Sequence, residues 1–560
     1  MAEEKQRSKI ERIKEASRGL RGSIADELVS ADSHFSKESV QLLKFHGVYQ
    51  QDDRDERKIR RRAGRDKAYQ FMVRIKNPGG GRLTAAQWRI LDDIADRFGE
   101  GTMRITTRQG IQFHGVGKDK LKSTIQVLNG ELISTFGACG DGNRNTMACP
   151  ASCLHQKSRF DGRHWAARIA NRFSFQSSSY FEIWLDGEKV EPVESEPLYG
   201  DVYLPRKFKV AVADPDDNCV DLLTNDVGLL PILRSGKLEG FDVFVGGGLG
   251  STHLKQETYP RLADPLAFVA PERLLDLVEA ILLTQRDLGN RTDRRQARMK
   301  YLVGRLGIEA FRGEVESRFG ENLIEPRPWT LGSTDYHHGW HEQREAGMHY
   351  LGVFVENGRI EDRHDRALKT GLRAIVERFE PTLFLTPNQD LILADIPDAA
   401  LPDVRRLAER FGLSGEETSE LRTASLACPA LPTCGLAIAE AERRLPSLVD
   451  ALEEAGFGNE RIKIRMSGCP NSCSRPPVAE IGLIGKSMNG YNILVGGNPS
   501  GTRLAELLFE NVASEELASE IGRLIALYRK SREPDEAFGD FCHRVGVDSL
   551  RNRLAEEIAV

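Results

Sequence analysis

The sequence predicts an α+β protein built from two similar halves that are related by a pseudo-two-fold axis. Residues 71–116 and 349–396 both show the order strand, turn, helix, strand, and "TTRQGIQF" in the first is answered by "TPNQDLIL" in the second. A second echo joins "VFVGGGLGST" (243–252) to "ILVGGNPSGT" (493–502). Each half therefore holds a smaller α/β unit followed by a larger one. The interface between the halves is a natural place for a large cofactor.

Length and composition indicate a protein of several domains. The chain has 560 residues, of which 40% are hydrophobic and 29% charged, and its net charge is −5. This charge excludes a general attraction to nucleic acid. No apolar run is long enough to span a membrane, and the charged start is unlike a secretory signal. We expect a cytoplasmic protein that binds neither nucleic acid nor membrane, whose paired cysteines bind metal or act in redox chemistry.

Two segments outside the repeats have a simple interpretation. Residues 1–65 are dense in charge and end in "RDERKIRRRAGRDK", which indicates a solvated, partly disordered arm or a docking segment for a partner. "PERLLDLVEAILLTQRDLGN" is apolar at helical spacing, so it predicts a buried helix.

Four cysteines form two pairs in the last quarter of the chain. The spacing is C-x5-C in "ACPALPTCGLA" and C-x3-C in "SGCPNSCSRPP", and the residues are Cys428, Cys434, Cys469 and Cys473. Structural zinc fits poorly because its ligand pairs usually have two to four intervening residues. Four unconnected buried thiols would leave the pairing unexplained. A [4Fe–4S] cluster fits best, since its thiolates come from loops that wrap a bulky anion, and the neighbouring prolines keep helix away.

A further cysteine pair in the first half repeats the C-x3-C spacing. Cys149 and Cys153 lie in "ACPASC", with no C-x5-C pair beside them and only Cys139 ten residues earlier. We interpret this pair as a relic of duplication or as local packing, not as ligands of a second cluster.

Basic side chains recur in segments that otherwise look folded. Six of them are Arg74, Arg104, Arg108, Arg144, Lys207 and Lys209. Residues two or four apart on a strand share a face, which predicts that Arg104 and Arg108 point the same way, with Gln112 and His114 continuing the row. The two lysines should also share a face. Such cations repel unless an anion lies between them, so the pattern predicts a site for a polyanionic cofactor with charge left for a small oxyanion.

The Gly-rich stretch "VGGGLG" does not predict nucleotide binding. It does not complete G-x-G-x-x-G, and no suitable helix follows it. Tight turns or a close cofactor approach explain it better. Because neither a Walker A motif nor a flavin fingerprint is found, we do not expect the chain to collect electrons from NAD(P)H itself.

Taken together, these motifs resemble the sirohaem-containing nitrite and sulfite reductases. The resemblance rests on the cysteine spacing with "RITTRQGIQFHG", "NRN", "LPRKFK" and "GCPNSC". Longer stretches are most similar to the haemoprotein (beta) subunits of assimilatory NADPH-sulfite reductases: "KFHGVYQQDDRD", "TQRDLGNRTDRRQARMKY", "LPTCGLAIAEAERRLP" and "GCPNSCSRPPVAEIGLIGK". The similarity runs from about residue 40 to the C-terminus.

The resemblance implies a division of the chain into five parts. After the arm of 1–65, it implies ferredoxin-like half-domains over 66–135 and 341–415. It also implies larger α/β domains that bind sirohaem and the cluster, over 136–340 and 416–560.

The resemblance also implies cofactors and roles for individual residues. The four paired cysteines would hold one [4Fe–4S] cluster, and Cys473 would also be the axial ligand of the sirohaem iron. Residues around the macrocycle would be Arg104, Arg108, Gln112, His114, Lys300 and Asn471. The substrate anion would meet Arg74, Arg144, Lys207 and Lys209. The implied reaction is the six-electron reduction of sulfite to sulfide in sulfate assimilation and cysteine biosynthesis, with the two lysines as proton donors.

Two other functions compete with sulfite reduction. A ferredoxin-dependent nitrite reductase on the same scaffold tends to carry Asn where this chain has Lys209, so the "RKFK" motif favours sulfite. An iron–sulfur regulator that binds nucleic acid through "RKIRRR" is disfavoured by the acidic net charge. The implied electron donor is either a FAD/FMN flavoprotein (alpha subunit) that oxidises NADPH, or ferredoxin.

Overall fold

The computed structural model describes residues 7–156, 160–176, 183–185, 188–190, 196–364, 366–415 and 418–556. The N-terminal segment comprises short helices and one strand: α1 (Lys9–Glu15), α2 (Ile24–Val29), α3 (Lys37–Leu43), β1 (Val48–Asp52) and α4 (Glu56–Arg62).

This segment packs against the body of the protein. Strand β1 pairs antiparallel with the strand that begins at Tyr69, and Leu20, Phe35 and Phe45 are buried. The partly disordered arm that the charge density led us to expect therefore does not describe residues 7–65. The reason is that a few widely spaced apolar residues of this segment are buried against the rest of the protein, although the average composition of the segment is polar. A docking role for this segment stays a prediction.

The first half-domain alternates strands with two helices. Its elements are β2 (Tyr69–Arg74), β3 (Arg82–Leu83), α5 (Ala85–Phe98), β4 (Met103–Ile105), β5 (Ile111–Val116) and α6 (Leu121–Gly130). Helix α5 begins where a capping box forms, because the Thr84 hydroxyl accepts from the Gln87 backbone and the Gln87 side chain accepts from the Thr84 backbone. Its apolar face, which includes Trp88 and Leu91, is buried.

The larger domain of the first half follows. Its elements are β6 (Met147–Ala148), α7 (Gly162–Arg172), β7 (Ile183–Leu185), β8 (Glu188–Val190), β9 (Val210–Val212), β10 (Val227–Arg234), β11 (Lys237–Val245), β12 (Asp264–Val269), α8 (Leu274–Leu288), α9 (Met299–Leu306) and α10 (Ile308–Phe319). Helix α8 confirms the buried helix that the sequence predicts, with Leu277, Ile281 and Leu282 in the core.

The second half repeats this order. Its half-domain comprises β13 (Gly339–Glu342), β14 (Met348–Val353), β15 (Arg359–Ile360), α11 (Leu368–Phe379), β16 (Thr382–Leu385), β17 (Leu391–Pro397) and α12 (Leu401–Arg410). Its larger domain comprises α13 (Glu420–Thr423), β18 (Leu426–Ala427), α14 (Leu445–Glu454), β19 (Ile464–Ser467), β20 (Ile481–Ser487), β21 (Gly490–Val495), β22 (Glu506–Ala513), α15 (Leu517–Ser531), α16 (Phe538–Val545) and α17 (Val547–Glu556).

The sheet topology confirms the duplicated α+β fold. The half-domain sheets have the orders β1-β2-β5-β4-β15 and β13-β14-β17-β16-β3. Each thus receives its last short strand from the other half. The sheets of the larger domains, β12-β11-β10-β9-β6 and β22-β21-β20-β19-β18, match strand for strand. Strands β11 and β21 lead directly into the two Gly-rich echoes of the sequence.

The cores follow from this arrangement. The two half-domains share one apolar core, to which Trp88, Phe113, Leu372 and Leu393 all belong. The larger domains have separate cores of their own. Across the described residues, no helix combines the length and apolar character that a membrane crossing would require.

Candidate active site

The four paired cysteines lie at the ends of two neighbouring strands. Cys428 directly follows β18, and Cys469 and Cys473 lie in the loop that follows β19. The two strands are parallel neighbours, so their carboxyl ends meet at one edge of the sheet. Cys434 lies in a turn whose backbone N–H donates to the Ala430 carbonyl. All four are free thiols, and Cys428 lies near enough to the other three to interact with them electrostatically. The structure therefore brings together the set that the spacing predicts.

The spacing of these thiols is too wide for one tetrahedral ion. Of these four described cysteines, no three have sulfur atoms mutually within 4.8 Å, whereas thiolates on one zinc ion would lie about 3.8 Å apart. Polar groups already approach the sulfurs: Gly468 N–H donates to Cys428 Sγ at 3.4 Å, and Asn471 Nδ2 donates to Cys469 Sγ at 3.3 Å. Burial raises the pKa of both thiols, so only a bound metal would hold them as thiolates at neutral pH.

A cationic cavity of about 70 Å³ adjoins the cysteine set. It lies where the first half-domain and both larger domains meet, and it is lined by Thr107, Arg108, Met147, Lys207, Lys209, Thr224, Asn225, Leu249, Gly250, Arg298, Asn471, Ser472, Cys473 and Arg475. None of these described lining residues is an aspartate or a glutamate. Cys473 is the thiol that this cavity shares with the cysteine set, and it is exposed.

Lys207 and Lys209 both face this cavity, in agreement with their spacing. They belong to the extended segment that precedes β9. Burial in the cavity wall, together with neighbouring cations, lowers the pKa of both lysines well below its usual value. The neighbouring cations that lower the pKa of Lys207 are Lys209 and Arg206, and those that lower the pKa of Lys209 are Arg108 and Arg298. An anion in the cavity would restore the charged form of these side chains.

Arg104 and Arg108 do not share a strand face, so that prediction is wrong. Strand β4 ends at Ile105, and Arg108 lies in the following turn. Arg108 enters the cavity, where it donates to Asn225 Oδ1 at 2.9 Å and to the Asn145 carbonyl at 2.6 Å. Side chains two or four residues apart share a face only while the strand continues, and the turn at "TTRQ" directs the Arg108 side chain away from that face.

Arg104 instead belongs to a row of polar residues across the first half-domain sheet. Arg74, Gln112, Arg104 and Arg359 are successive partners on β2, β5, β4 and β15. Glu442 neutralises one end of this row, 2.9 Å from Arg104 Nε and 2.7 Å from Arg359 Nε. His114 lies further along β5, and neither of its ring nitrogens has a partner among the described residues.

Arg74 and Arg144 brace the loop around Cys139. Arg74 Nη1 donates to Cys139 Sγ at 3.1 Å. Arg144 donates to the carbonyls of Gly140 and Ala138 at 2.9 and 3.2 Å. Neither arginine is among the residues that line the cavity, so their contact with substrate stays a prediction.

Lys300 supports the Gly-rich loop after β11. Its Nζ donates to the carbonyls of Gly248 and Gly250 at 3.0 and 2.7 Å. A Cβ on Gly250 would lie 2.9 Å from the Asn471 carbonyl oxygen. The glycines therefore allow this loop to approach the loop that holds Cys469 and Cys473, at a place where the sequence predicts tight turns or a close cofactor approach.

Several residues of the site were missed by reasoning from sequence. Arg298 and Arg475 line the cavity, and Asp226 and Asp221 pair with them at 2.8 and 3.1 Å. Arg475 lies two residues after Cys473, and this closeness in sequence could have indicated that it belongs to the site. Arg298 is brought in only by the tertiary fold.

The residues present fit a polyanionic macrocycle beside an iron–sulfur cluster. The fit rests on four free thiols, on one of them opening into a cavity lined by cations, and on the ring of His114, for which the described residues offer no hydrogen-bond partner. Arg108, Asn471 and Cys473 are in position to hold such a group. Arg104 and Lys300 lie behind this layer, where they hold Glu442 and the Gly-rich loop.

Two family models match the chain. The nitrite and sulphite reductase 4Fe-4S domain matches residues 139–323 and 439–560. The nitrite/sulfite reductase ferredoxin-like half domain matches residues 62–130 and 341–410. Each model matches once in each half, in agreement with the duplicated sheets.

Named relatives match along almost the whole chain. It is 43% identical over 551 residues to the "Sulfite reductase (NADPH) hemoprotein beta-component" of Geobacillus kaustophilus, covering 96% of both chains. It is also 43% identical over 569 residues to the "Sulfite reductase (ferredoxin)" of Synechococcus elongatus, covering 97% of this chain and 90% of that protein. The solved structure of Mycobacterium tuberculosis NirA matches with a TM-score of 0.79 at 26% identity, covering 96% of this chain and 97% of NirA. This chain therefore belongs to the nitrite and sulfite reductase family.

Proposed function

We propose that this chain is the haemoprotein component of an assimilatory sulfite reductase that reduces sulfite to sulfide. The observation that carries the proposal is Cys473, which belongs to the four-thiol set and also opens into the cationic cavity. This one residue thus belongs both to the proposed cluster site and to the cavity that would bind an anion. Relatives that carry the sulfite reductase name along nearly their full length support the same conclusion.

In this proposal Cys428, Cys434, Cys469 and Cys473 hold a [4Fe–4S] cluster, and Cys473 also ligates sirohaem. When bound, this pair of cofactors supplies electrons one at a time to a substrate held in the cavity. Arg108, Gln112, His114 and Asn471 are proposed to orient the macrocycle, with Arg104 and Lys300 supporting them.

Lys207 and Lys209 are proposed to bind the substrate and to move protons. Two adjacent ammonium groups suit the doubly charged sulfite ion and stabilise negative charge as electrons are added. Each S–O bond that breaks releases an oxygen that must leave as water, so it needs protons. Lysines with lowered pKa give up a proton more readily near neutral pH than ordinary lysines do. Arg74 and Arg144 are proposed to complete the anion site from the loop behind.

The electron donor is proposed to be a separate protein. The relative named for NADPH and the relative named for ferredoxin are equally identical to this chain, at 43%. Sulfide production should be compared with NADPH plus a FAD/FMN flavoprotein and with reduced ferredoxin. We also place the protein in the cytoplasm, where all nine cysteines, which are free, would remain reduced.

The proposal is tested by Cys473→Ser. The wild-type holoenzyme should show the Soret and red absorption bands of a reduced tetrapyrrole and produce sulfide, while Cys473→Ser should lose those bands and the turnover. Cys542→Ser is the control, since Cys542 is buried in α16 within the core of the last domain. A colourless wild-type chain after anaerobic reconstitution, or a Cys473→Ser variant with full colour and activity, would overturn the proposal.

A further inference from the structure

Four metal-ligating side chains converge at a buried point that the reaction does not use. They are Cys149, Asp217, Cys219 and His337, and one ligand atom from each lies within 4.8 Å of all the others. Their exposed fractions are 2%, 7%, 1% and 3%. The residues come from three separate segments: the end of β6, the loop between β9 and β10, and the segment before β13.

The distances suit a tetrahedral ion. Cys149 Sγ lies 3.5 Å from His337 Nε2 and 3.1 Å from Asp217 Oδ2, and the last two atoms are 3.1 Å apart. With metal–sulfur bonds of about 2.3 Å and metal–nitrogen or metal–oxygen bonds of about 2.0–2.2 Å, neighbouring ligand atoms lie about 3.3–3.8 Å apart. Small shifts of the side chains would complete such a tetrahedron.

The orientation distinguishes this cluster from a Cys–His–Asp catalytic triad. In a triad, the carboxylate and the nucleophile contact opposite ring nitrogens of the histidine. Here Cys149 Sγ and Asp217 Oδ2 both approach the same nitrogen, Nε2 of His337. Convergence on one point is typical of metal ligands, and all four side chains are buried.

The groups behind the ligands are arranged to hold them. Asp217 Oδ1 accepts the backbone N–H groups of Cys219 and Asp335, both at 2.9 Å, which leaves Oδ2 for the cluster. His337 Nδ1 lies 3.2 Å from His155 Nε2 and 3.6 Å from an oxygen of Asp335. A carboxylate behind a histidine ligand fixes the ring and strengthens the ligand.

The position of the cluster in the fold is equivalent to that of the iron–sulfur thiols. Cys149 directly follows β6, as Cys428 directly follows the matching strand β18. Cys219 precedes β10 by eight residues, as Cys473 precedes the matching strand β20 by eight. Cys153 does not join the cluster, since it contacts Arg163 instead.

We propose that Cys149, Cys219, His337 and Asp217 bind one structural Zn²⁺ ion in the first half of the chain. The site is closed by its four protein ligands and joins the β6 edge of the first larger domain to the segment that enters the second half-domain. Four ligands of mixed sulfur, nitrogen and oxygen type at tetrahedral spacing favour zinc over Mg²⁺ or Ca²⁺, which prefer oxygen ligands.

Elemental analysis of the purified full-length holoenzyme tests the site without any variant. We expect about one zinc per chain in addition to iron, and X-ray absorption at the zinc edge should show two sulfur neighbours at about 2.3 Å and two nitrogen or oxygen neighbours at about 2.0–2.2 Å. Less than a tenth of a zinc per chain after growth with added zinc would overturn the proposal. Four sulfur neighbours would also overturn it, because the zinc would then occupy the other thiol set.

Substitutions assign the ligands. Cys219→Ser and His337→Asn should each lower the zinc content at least tenfold while the iron content per chain stays unchanged. Cys542→Ser, which removes a buried thiol elsewhere, should keep both metals. Zinc that is retained in both ligand variants, or lost equally in the control, would contradict the assignment.

Discussion

At the scale of single residues, the notable feature is an excess of positive charge that the protein does not neutralise by itself. Lys207 and Lys209 lie beside Arg108 in a wall with no acidic residue among its described lining. Burial, and after it the repulsion from neighbouring cations, lowers the pKa of both lysines. Sites that bind anions concentrate such charge, because the ligand supplies the missing negative partner.

We expect Lys209→Asn to lower kcat/KM for sulfite by about 10²–10³, because removing one donor to a developing oxyanion typically has this effect. The value for nitrite, a monoanion, should fall less. Steady-state assays with both substrates, normalised to cofactor absorbance, measure the change. Lys530→Asn at the exposed end of α15 is the control and should leave both values unchanged. A kcat/KM for sulfite that is unchanged in Lys209→Asn would contradict the conclusion that the charge of Lys209 favours sulfite.

At the scale of elements, one carboxylate joins helices α2 and α3 of the N-terminal segment. Glu27 on α2 accepts hydrogen bonds from the Ser36 backbone at 2.6 Å and from the hydroxyls of Ser23, Ser36 and Ser39 at 2.5, 2.8 and 2.7 Å. Ser36 caps α3, so the negative charge lies at the start of that helix, where it is stabilising. Partial burial raises the pKa of Glu27, but these hydrogen bonds outweigh burial and lower the pKa to about 2.

A lowered carboxyl pKa gives a pH dependence of known sign. The stabilisation by Glu27 should be fully present above the ordinary glutamate pKa, about 4.3, and should be lost as the pH falls towards 2. Hydrogen exchange over residues 24–43, corrected for the intrinsic pH effect, should show less protection in Glu27→Gln than in wild type at pH 6. That difference should shrink at pH 3. Asp26→Asn should match wild type, and a difference independent of pH would refute the assignment.

At the scale of the whole molecule, the two halves are joined in more than one layer. The half-domains share one core and exchange the short strands β3 and β15. The larger domains meet at buried Asp221, which pairs with Arg465 at 2.5 Å and with Arg475 at 3.1 Å. The proposed substrate and cofactor residues come from both halves, so their positions depend on this joining.

The shared core predicts that the two half-domains unfold as one cooperative unit. Leu372→Ala on α11 should cost about 2–5 kcal/mol and should reduce amide protection in β2 and β5 as much as in β14 and β17. Native-state hydrogen exchange with mass spectrometry measures this. Leu524→Ala, in the core of the last domain, should leave all four strands unchanged. Loss of protection confined to β14 and β17 would show that the half-domains are independent.

The sequence by itself determined the duplication, the four-thiol set and the pairing of Lys207 with Lys209. These features depend on local spacing and on repetition along the chain, which a sequence displays directly. The sequence did not predict the ordering of the N-terminal segment, because a few apolar residues that become buried hardly change its average composition.

Only the tertiary structure decided which residues face the cavity. Arg108 leaves the face of Arg104 because a turn intervenes, and Arg298 joins the site from the residue directly before α9. It also brought Cys149 and Cys219 to His337 although more than a hundred residues separate each cysteine from it. Such a contact has no signature in local spacing. Long-range proximity depends on how sheets pair and pack, and a repeat pattern predicts that such contacts exist without specifying which side chains make them.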